Sequence, residues 1–275
     1  MINKKTPNQN LHTHTTYCDG ADTPEEMISE ALKKNFTSIG FSGHSYMHYA
    51  PEHSMSKDGT EQYKNEIRFL RKKYQNELDI FCGLEMDMYS QIDQTGYDYL
   101  IGSVHYLIQN GQYIGFDRSK EVVEDVIKNH FGGSGIKFAT AYYKALETLP
   151  KYGKFDIIGH FDLITKHCEN VEFFDQNSDE YKTAAHKAAK ALAGKIPFFE
   201  VNTGAIARGY RTTPYPSEFL LKELKSFGFG AVVTSDCHNK HMLDCEFEAA
   251  DKLLKKCGFK EKYILTKQGF KSVLL

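Results

Sequence analysis

Residues 10–26, NLHTHTTYCDGADTPEE, hold the unit from which the rest of the chain is built. A short segment carries His12 and His14 at alternate positions, and a polar turn with Asp19 and Gly20 follows. Thr23, Pro24 and Glu26 then mark a helix start: a capping threonine, proline at the first helical position and a glutamate three residues past the cap. The pattern predicts a strand over residues 10–14 and a helix over 24–35, with Met27, Ile28, Ala31 and Leu32 on one face. Alternate side chains of an extended segment project to one side, so His12 and His14 can reach a single ion together.

The same alternation recurs along the chain. Apolar runs rich in Ile, Val, Phe and Tyr predict further strands at 38–41, 78–84, 97–104, 155–159, 197–202 and 230–234. Helical patterns fall at 62–76, 119–130, 139–149, 179–193, 217–226 and 242–256. Residues 45–59 and 131–138 read as long loops, which in compact domains are often functional. Repeated β-then-α units imply a parallel sheet, either open or closed into a barrel. No GxGxxG or Walker-type loop follows the first strand, which removes the commonest nucleotide-binding signature.

The 275 residues fit one large domain, 1–275, with no linker suggesting a break. A hydrophobic fraction of 41% and a charged fraction of 25% are those of an ordinary globular chain. A net charge of -2 gives no support for a surface that coats nucleic acid. The six cysteines form no CxxC pair. With no signal peptide and no membrane-spanning stretch in the sequence, a cytoplasmic protein with reduced thiols is expected.

Where the metal-type residues fall is the strongest feature. His12 and His14 end the first predicted strand, with Asp19 beyond; His44 follows the second; Glu85 ends the third; His105 and His160 follow the fourth and fifth; Asp236 and His238 follow the seventh. Taken singly, each has an ordinary explanation. Asp236 could cap a helix, Asp19 could serve a turn, and a lone histidine after an apolar run is usually a packed core residue. Taken together, they put a His, Asp or Glu at the C-terminal end of six of seven strands, and in a parallel barrel those ends share the face that carries the active site. Nine candidate ligands exceed one tetrahedral ion and suit two or three.

The motifs HTHTTYCDG, GFSGHS, GLEMD, GSVH, IIGHFD and SDCH, in this order from His12 to His238, resemble the PHP family of metallophosphoesterases. The length, HFDLITKH and NTGAIARGYRTTPYPS resemble its histidinol-phosphatase branch. The resemblance implies a distorted (β/α)7 TIM-like barrel and a centre of two or three divalent ions, zinc, iron or manganese. It implies one ion on His12, His14, Glu85 and Asp236, a second on Glu85, His105 and His160, and a third on Asp19, His44 and His238. Glu85, Asp236 and His238 are the implied catalytic groups.

The expected substrate is a small phosphate monoester, with L-histidinol phosphate first. The expected chemistry is in-line attack on phosphorus by a metal-bridging hydroxide. Arg208, after the one strand without a candidate ligand, and Lys166, after the fifth, are expected to bind phosphate. Arg118 and Arg211 are weaker candidates for that role. Asp162, His167 or a water could protonate the leaving group, and Tyr106, Tyr142 and Tyr210 could line the pocket. No nucleic acid or membrane partner is expected, and homo-oligomer formation stays open. Alternatives are another phosphoesterase of the family, acting on phosphotyrosine, a phosphodiester or a nucleic-acid end, or a non-catalytic metal-binding regulator.

Overall fold

The computed structural model describes residues 8–275. In chain order its strands are β1 (Gln9–Asn10), β2 (Ser38–Phe41), β3 (Asp79–Asp87), β4 (Tyr99–Ser103), β5 (Tyr106–Gln109), β6 (Gln112–Gly115), β7 (Ile157–Ile158), β8 (Phe198–Asn202), β9 (Gly230–Thr234), β10 (Glu261–Thr266) and β11 (Gly269–Leu274). The α-helices are α1 (Pro24–Lys33), α2 (Lys57–Lys73), α3 (Lys120–His130), α4 (Gly135–Leu146), α5 (Asp179–Leu192), α6 (Gly204–Ala207), α7 (Glu218–Ser226) and α8 (Phe247–Lys256).

Seven strands form one parallel sheet in the order β1-β2-β3-β4-β7-β8-β9. The sheet curls round until its edges meet beyond the strand ends. There Thr13 bridges Cys237, and the His14 amide donates to the Cys237 carbonyl at 2.9 Å. The result is the expected distorted barrel of seven strands, with helices packed outside. Between helices and sheet lies the main core, including Met27, Ile28, Tyr63, Ile67 and Phe138.

The barrel interior has two layers. At the strand starts Leu11, Phe81, Tyr99, Ile101, Ile157 and Val232 pack together, joined by Leu265 of β10. Gln9 and Leu265 exchange two hydrogen bonds of 2.8 Å, so the β10–β11 hairpin seals this end. The Tyr99 hydroxyl reaches the carbonyls of Leu11 and Phe41, across the barrel. Its ring occupies the space beside Gly83, where any Cβ would fall inside it. The other layer, toward the strand ends, is polar and holds the site.

Several boundaries differ from expectation for identifiable reasons. β1 stops at Asn10 because that residue's side-chain oxygen accepts from the amides of His12 (3.0 Å) and Ser235 (3.3 Å), replacing the ladder. α2 starts at Lys57, since Ser56 caps it through the Gly59 amide at 2.9 Å; the expected loop is shorter by that turn. Likewise α4 begins at Gly135 under a Ser134 cap, leaving a short break where residues 131–138 were expected to be loop. α8 begins at Phe247, because Lys240–Met242 form a 3-10 turn first. The β5–β6 hairpin was not expected. Its turn, Asn110-Gly111, has φ of 51° and 77°, the paired positive values that a two-residue hairpin turn needs. The cysteines are free, and among the described residues no helix is long and apolar enough to cross a membrane.

Candidate metal centre

Nine side chains converge where the strands end. Glu85 sits within β3, two residues before its end, and is 1% exposed. Its two oxygens face different neighbours. Oε1 lies 3.0 Å from His160 Nε2 and 3.3 Å from His105 Nε2. Oε2 lies 2.9 Å from His44 Nδ1, 3.3 Å from His12 Nε2 and 3.5 Å from His14 Nε2. A carboxylate turned both ways in this manner can join two ions. Ser103 fixes it by donating to Oε1 at 2.8 Å.

Three groups of donors come close enough to share an ion: His12, His14 and Asp236; Glu85, His105 and His160; and His14, Asp19, His44 and His238. His14 falls in two of them, and proton placement divides it. Its Nδ1 lies 3.3 Å from Asp19 Oδ1, and its Nε2 lies 3.1 Å from Asp236 Oδ1. A neutral imidazole has one N–H and one lone pair. With Nδ1–H given to Asp19, the Nε2 lone pair serves the group with His12 and Asp236. His238 is held from both sides of its ring. Its Nδ1 lies 3.0 Å from both the Asp236 carbonyl, which accepts, and the Arg208 guanidinium, which donates, while its Nε2 faces Asp19 at 3.3 Å.

The donor chemistry fits divalent ions. His12 Nε2, His14 Nε2 and Glu85 Oε2 are buried and lack a hydrogen-bond partner among the described residues. His105 Nε2 and His160 Nε2 face each other at 3.2 Å, and Glu85 Oε1 completes a triangle with them at 3.3 and 3.0 Å. Lone pairs aimed at a common point are costly to bury unless a cation meets them. Without an ion, protons must do that work. Burial opposes charge on His12, yet the carboxylates of Glu200, Glu85 and Asp236 raise it from 6.5 to about 10. Burial likewise opposes charge on Glu85, and His12, His44 and His105 hold its carboxyl well below the usual range.

Sequence reasoning missed two carboxylates behind this cluster. Glu200 on β8 is 0% exposed. Its Oε2 accepts from His12 Nδ1 and from Thr234 Oγ1, both at 2.8 Å. Its Oε1 accepts from the His160 amide at 2.6 Å and from Asn202 Nδ2 at 2.8 Å. The sixth strand, expected to lack a ligand, therefore supplies the group that orients one. Asp87 plays a similar part for His105: its Oδ2 accepts the His105 amide at 3.0 Å and lies 3.5 Å from Nδ1. The one signal that could have found them is an acidic residue inside an apolar run, since Glu and Asp are almost never fully buried unpaired.

Above the cluster opens a cavity of about 410 Å³, lined by Met47, His53, Tyr106, Asp117, Arg118, Leu163, Lys166, Arg208 and Tyr210 besides the candidate ligands. That volume suits a small molecule. Met47 and His53 come from the stretch 45–59, so that stretch does wall the site. Arg208, the C-cap of α6, donates to Asp236 Oδ2 at 3.0 Å and to the Asp236 carbonyl at 2.9 Å. It therefore braces a candidate ligand as well as facing the cavity. Lys166 Nζ lies 3.4 Å from Asp117 Oδ2.

The chain is not extended between Asp236 and His238, because Asp236 adopts φ 44°. Other expectations are corrected. Tyr142 is fully buried against the Phe161 carbonyl and does not line the cavity. Arg211 is buried and bonds Thr165 and Thr213. Asp162 accepts the Ser217 amide and His167 packs on Tyr210, both outside the cavity lining.

A PHP domain model matches residues 10–204. The chain belongs to the PHP family. Among similar proteins, the histidinol-phosphatase of Bacillus subtilis is 27% identical over 263 residues, covering 86% of this chain and 96% of that one. A Deinococcus radiodurans protein named probable histidinol-phosphatase is 29% identical over 261 residues, covering 90% and 92%. Among solved structures, histidinol phosphate phosphatase from Lactococcus lactis, complexed with zinc, L-histidinol and phosphate, superposes with a TM-score of 0.72 at 18% identity. It covers 96% of this chain and 98% of that one.

Proposed function

We propose that this PHP-family chain is an L-histidinol-phosphate phosphatase, hydrolysing its substrate to L-histidinol and phosphate. The observation that carries the reading is the end-to-end likeness to proteins of that name, over a site whose donors converge as a phosphoesterase would need. His12, His14, Glu85 and Asp236 would hold one ion, Glu85, His105 and His160 a second, and Asp19, His44 and His238 a third. Zinc is the first metal to test, since the Lactococcus protein carries it. Divalent ions bound there would supply charge neutralisation for phosphate and water acidified to a pKa of about 7.

The chain's own groups do the rest. Glu200 and Asp87 orient His12 and His105, and Ser103 fixes Glu85. Arg208 and Lys166 set cationic groups on the cavity wall, where a phosphate oxygen can be bound and turned for attack. The cavity's size favours a small ester over a protein chain. Treating residues 1–275 as one domain belongs to the reading, supported by the hairpin that seals the barrel. So does a cytoplasmic location, supported by the free thiols.

The test is turnover of L-histidinol phosphate against a phosphotyrosyl peptide and a dinucleotide, with zinc, iron or manganese supplied. Histidinol phosphate should have the highest kcat/KM by a wide margin. A preference for either competitor would sink the assignment.

A further inference from the structure

Four carboxylates line the cavity, and three of them, Asp19, Glu85 and Asp236, belong to the candidate ligand set. The fourth, Asp117, does not. It is held firmly in place. Phe116 beside it is buried against Phe138 and Tyr142, and Ser119 two residues on caps α3 through the Val122 amide. The Asp117 side chain is 26% exposed.

Among the described residues, only Lys166 hydrogen-bonds this carboxylate, through Oδ2 at 3.4 Å. Charge-assisted bonds of this kind normally close to about 2.7–2.9 Å. An ionised carboxylate accepts about four hydrogen bonds, so Asp117 has capacity to spare. The neighbouring charges on the wall, Arg118, Lys166 and Arg208, are cationic. They suit phosphate and would repel an ammonium group. A substrate bearing both charges therefore has one anionic place for its cation.

We propose that Asp117 receives the ammonium group of an amino-alcohol phosphate, setting the enzyme's selectivity for such substrates. This rests on the phosphatase reading above and adds the residue that recognises the substrate's ammonium group. Lys166 then turns from Asp117 toward phosphate as the substrate's ammonium replaces it.

The experiment compares kcat/KM for L-histidinol phosphate and its deaminated analogue, 3-(imidazol-4-yl)propyl phosphate, in wild type and Asp117→Asn. Hydrogen bonds to charged groups predict a wild-type preference for the amine of roughly 10- to 100-fold. That ratio should collapse toward one in Asp117→Asn, and Asp117→Ser reads the same quantity if the first variant is unstable. A wild-type ratio near one overturns the proposal without any variant, while leaving the phosphatase reading intact. A variant that keeps the wild-type ratio overturns it too. Wild-type failure on both esters sinks the underlying reading instead.

Discussion

Glu200 shows how much of a candidate metal site can depend on a residue outside its donor groups. It fixes His12 with Nδ1 protonated and Nε2 aimed inward, and it holds the backbone at His160. Glu200→Gln keeps the volume but replaces one acceptor oxygen with an amide N–H, leaving His12 or one of its partners unsatisfied. Loss of such an outer partner typically costs 10–100-fold in metal affinity. We expect the variant to surrender zinc at correspondingly lower chelator concentration, measured by elemental analysis after competition. Zinc retention equal to wild type would refute the role. The candidate ligands themselves were legible because their positions repeat from strand to strand. Glu200 escaped because it stands in Phe198-Phe199-Glu200-Val201-Asn202, between apolar neighbours, and its partners are distant in sequence. Asp117 escaped for a different reason: it follows a hairpin that was not expected, so nothing placed it over the site.

At the scale of elements, the repeated βα pattern was legible because each unit carries its own hydrophobic stripe and cap. The Thr23–Glu26 capping box is present as expected, with both reciprocal bonds. The two hairpins were not found. β5 and β6 are four residues each, too short for periodicity to stand out, although Asn110-Gly111 was a usable turn signal. β10 mixes exposed and buried residues and β11 has none that is buried, because only one face of the hairpin meets the barrel. That face matters: Leu265 is 5% exposed and completes the apolar layer with Leu11, Tyr99 and Val232. Truncating it leaves a hole where the barrel is sealed. Leu265→Ala should lower unfolding free energy by about 2–4 kcal/mol. Because the plug lies at the opposite end from the donors, metal stoichiometry should not change. Equilibrium denaturation with parallel metal analysis reads both, and a stability equal to wild type would show that the hairpin seals nothing.

For the whole molecule, the barrel concentrates Asp19, Glu85, Glu200 and Asp236 with six histidines at the strand ends, most of them buried. In the metal-free protein, protons must balance those carboxylates. Burial opposes charge on His12 and on His105, yet neighbouring carboxylates, Glu200 first for His12 and Glu85 for His105, raise each from 6.5 to about 10. A histidine raised in the folded state adds stability in full below its unfolded value of 6.5, and that stability is lost as pH rises toward 10. Glu85 and Asp236 are shifted the other way: despite burial, His12 for Glu85 and Arg208 for Asp236 depress them, so their contributions are present above about 4.5 and lost in acid. The stripped protein should therefore be most stable between roughly pH 4.5 and 6.5 and weaken as pH climbs above that window. Metal binding needs deprotonated ligands and releases protons, so it strengthens over the same rise. The Tm gap between zinc-loaded and chelator-stripped protein should accordingly widen from pH 6 to pH 8.5, and loading at pH 7 in weak buffer should acidify the solution. A gap that stays constant or narrows, with no proton release, would mean that the histidines are already neutral in the metal-free fold and that something other than protons balances the buried carboxylates.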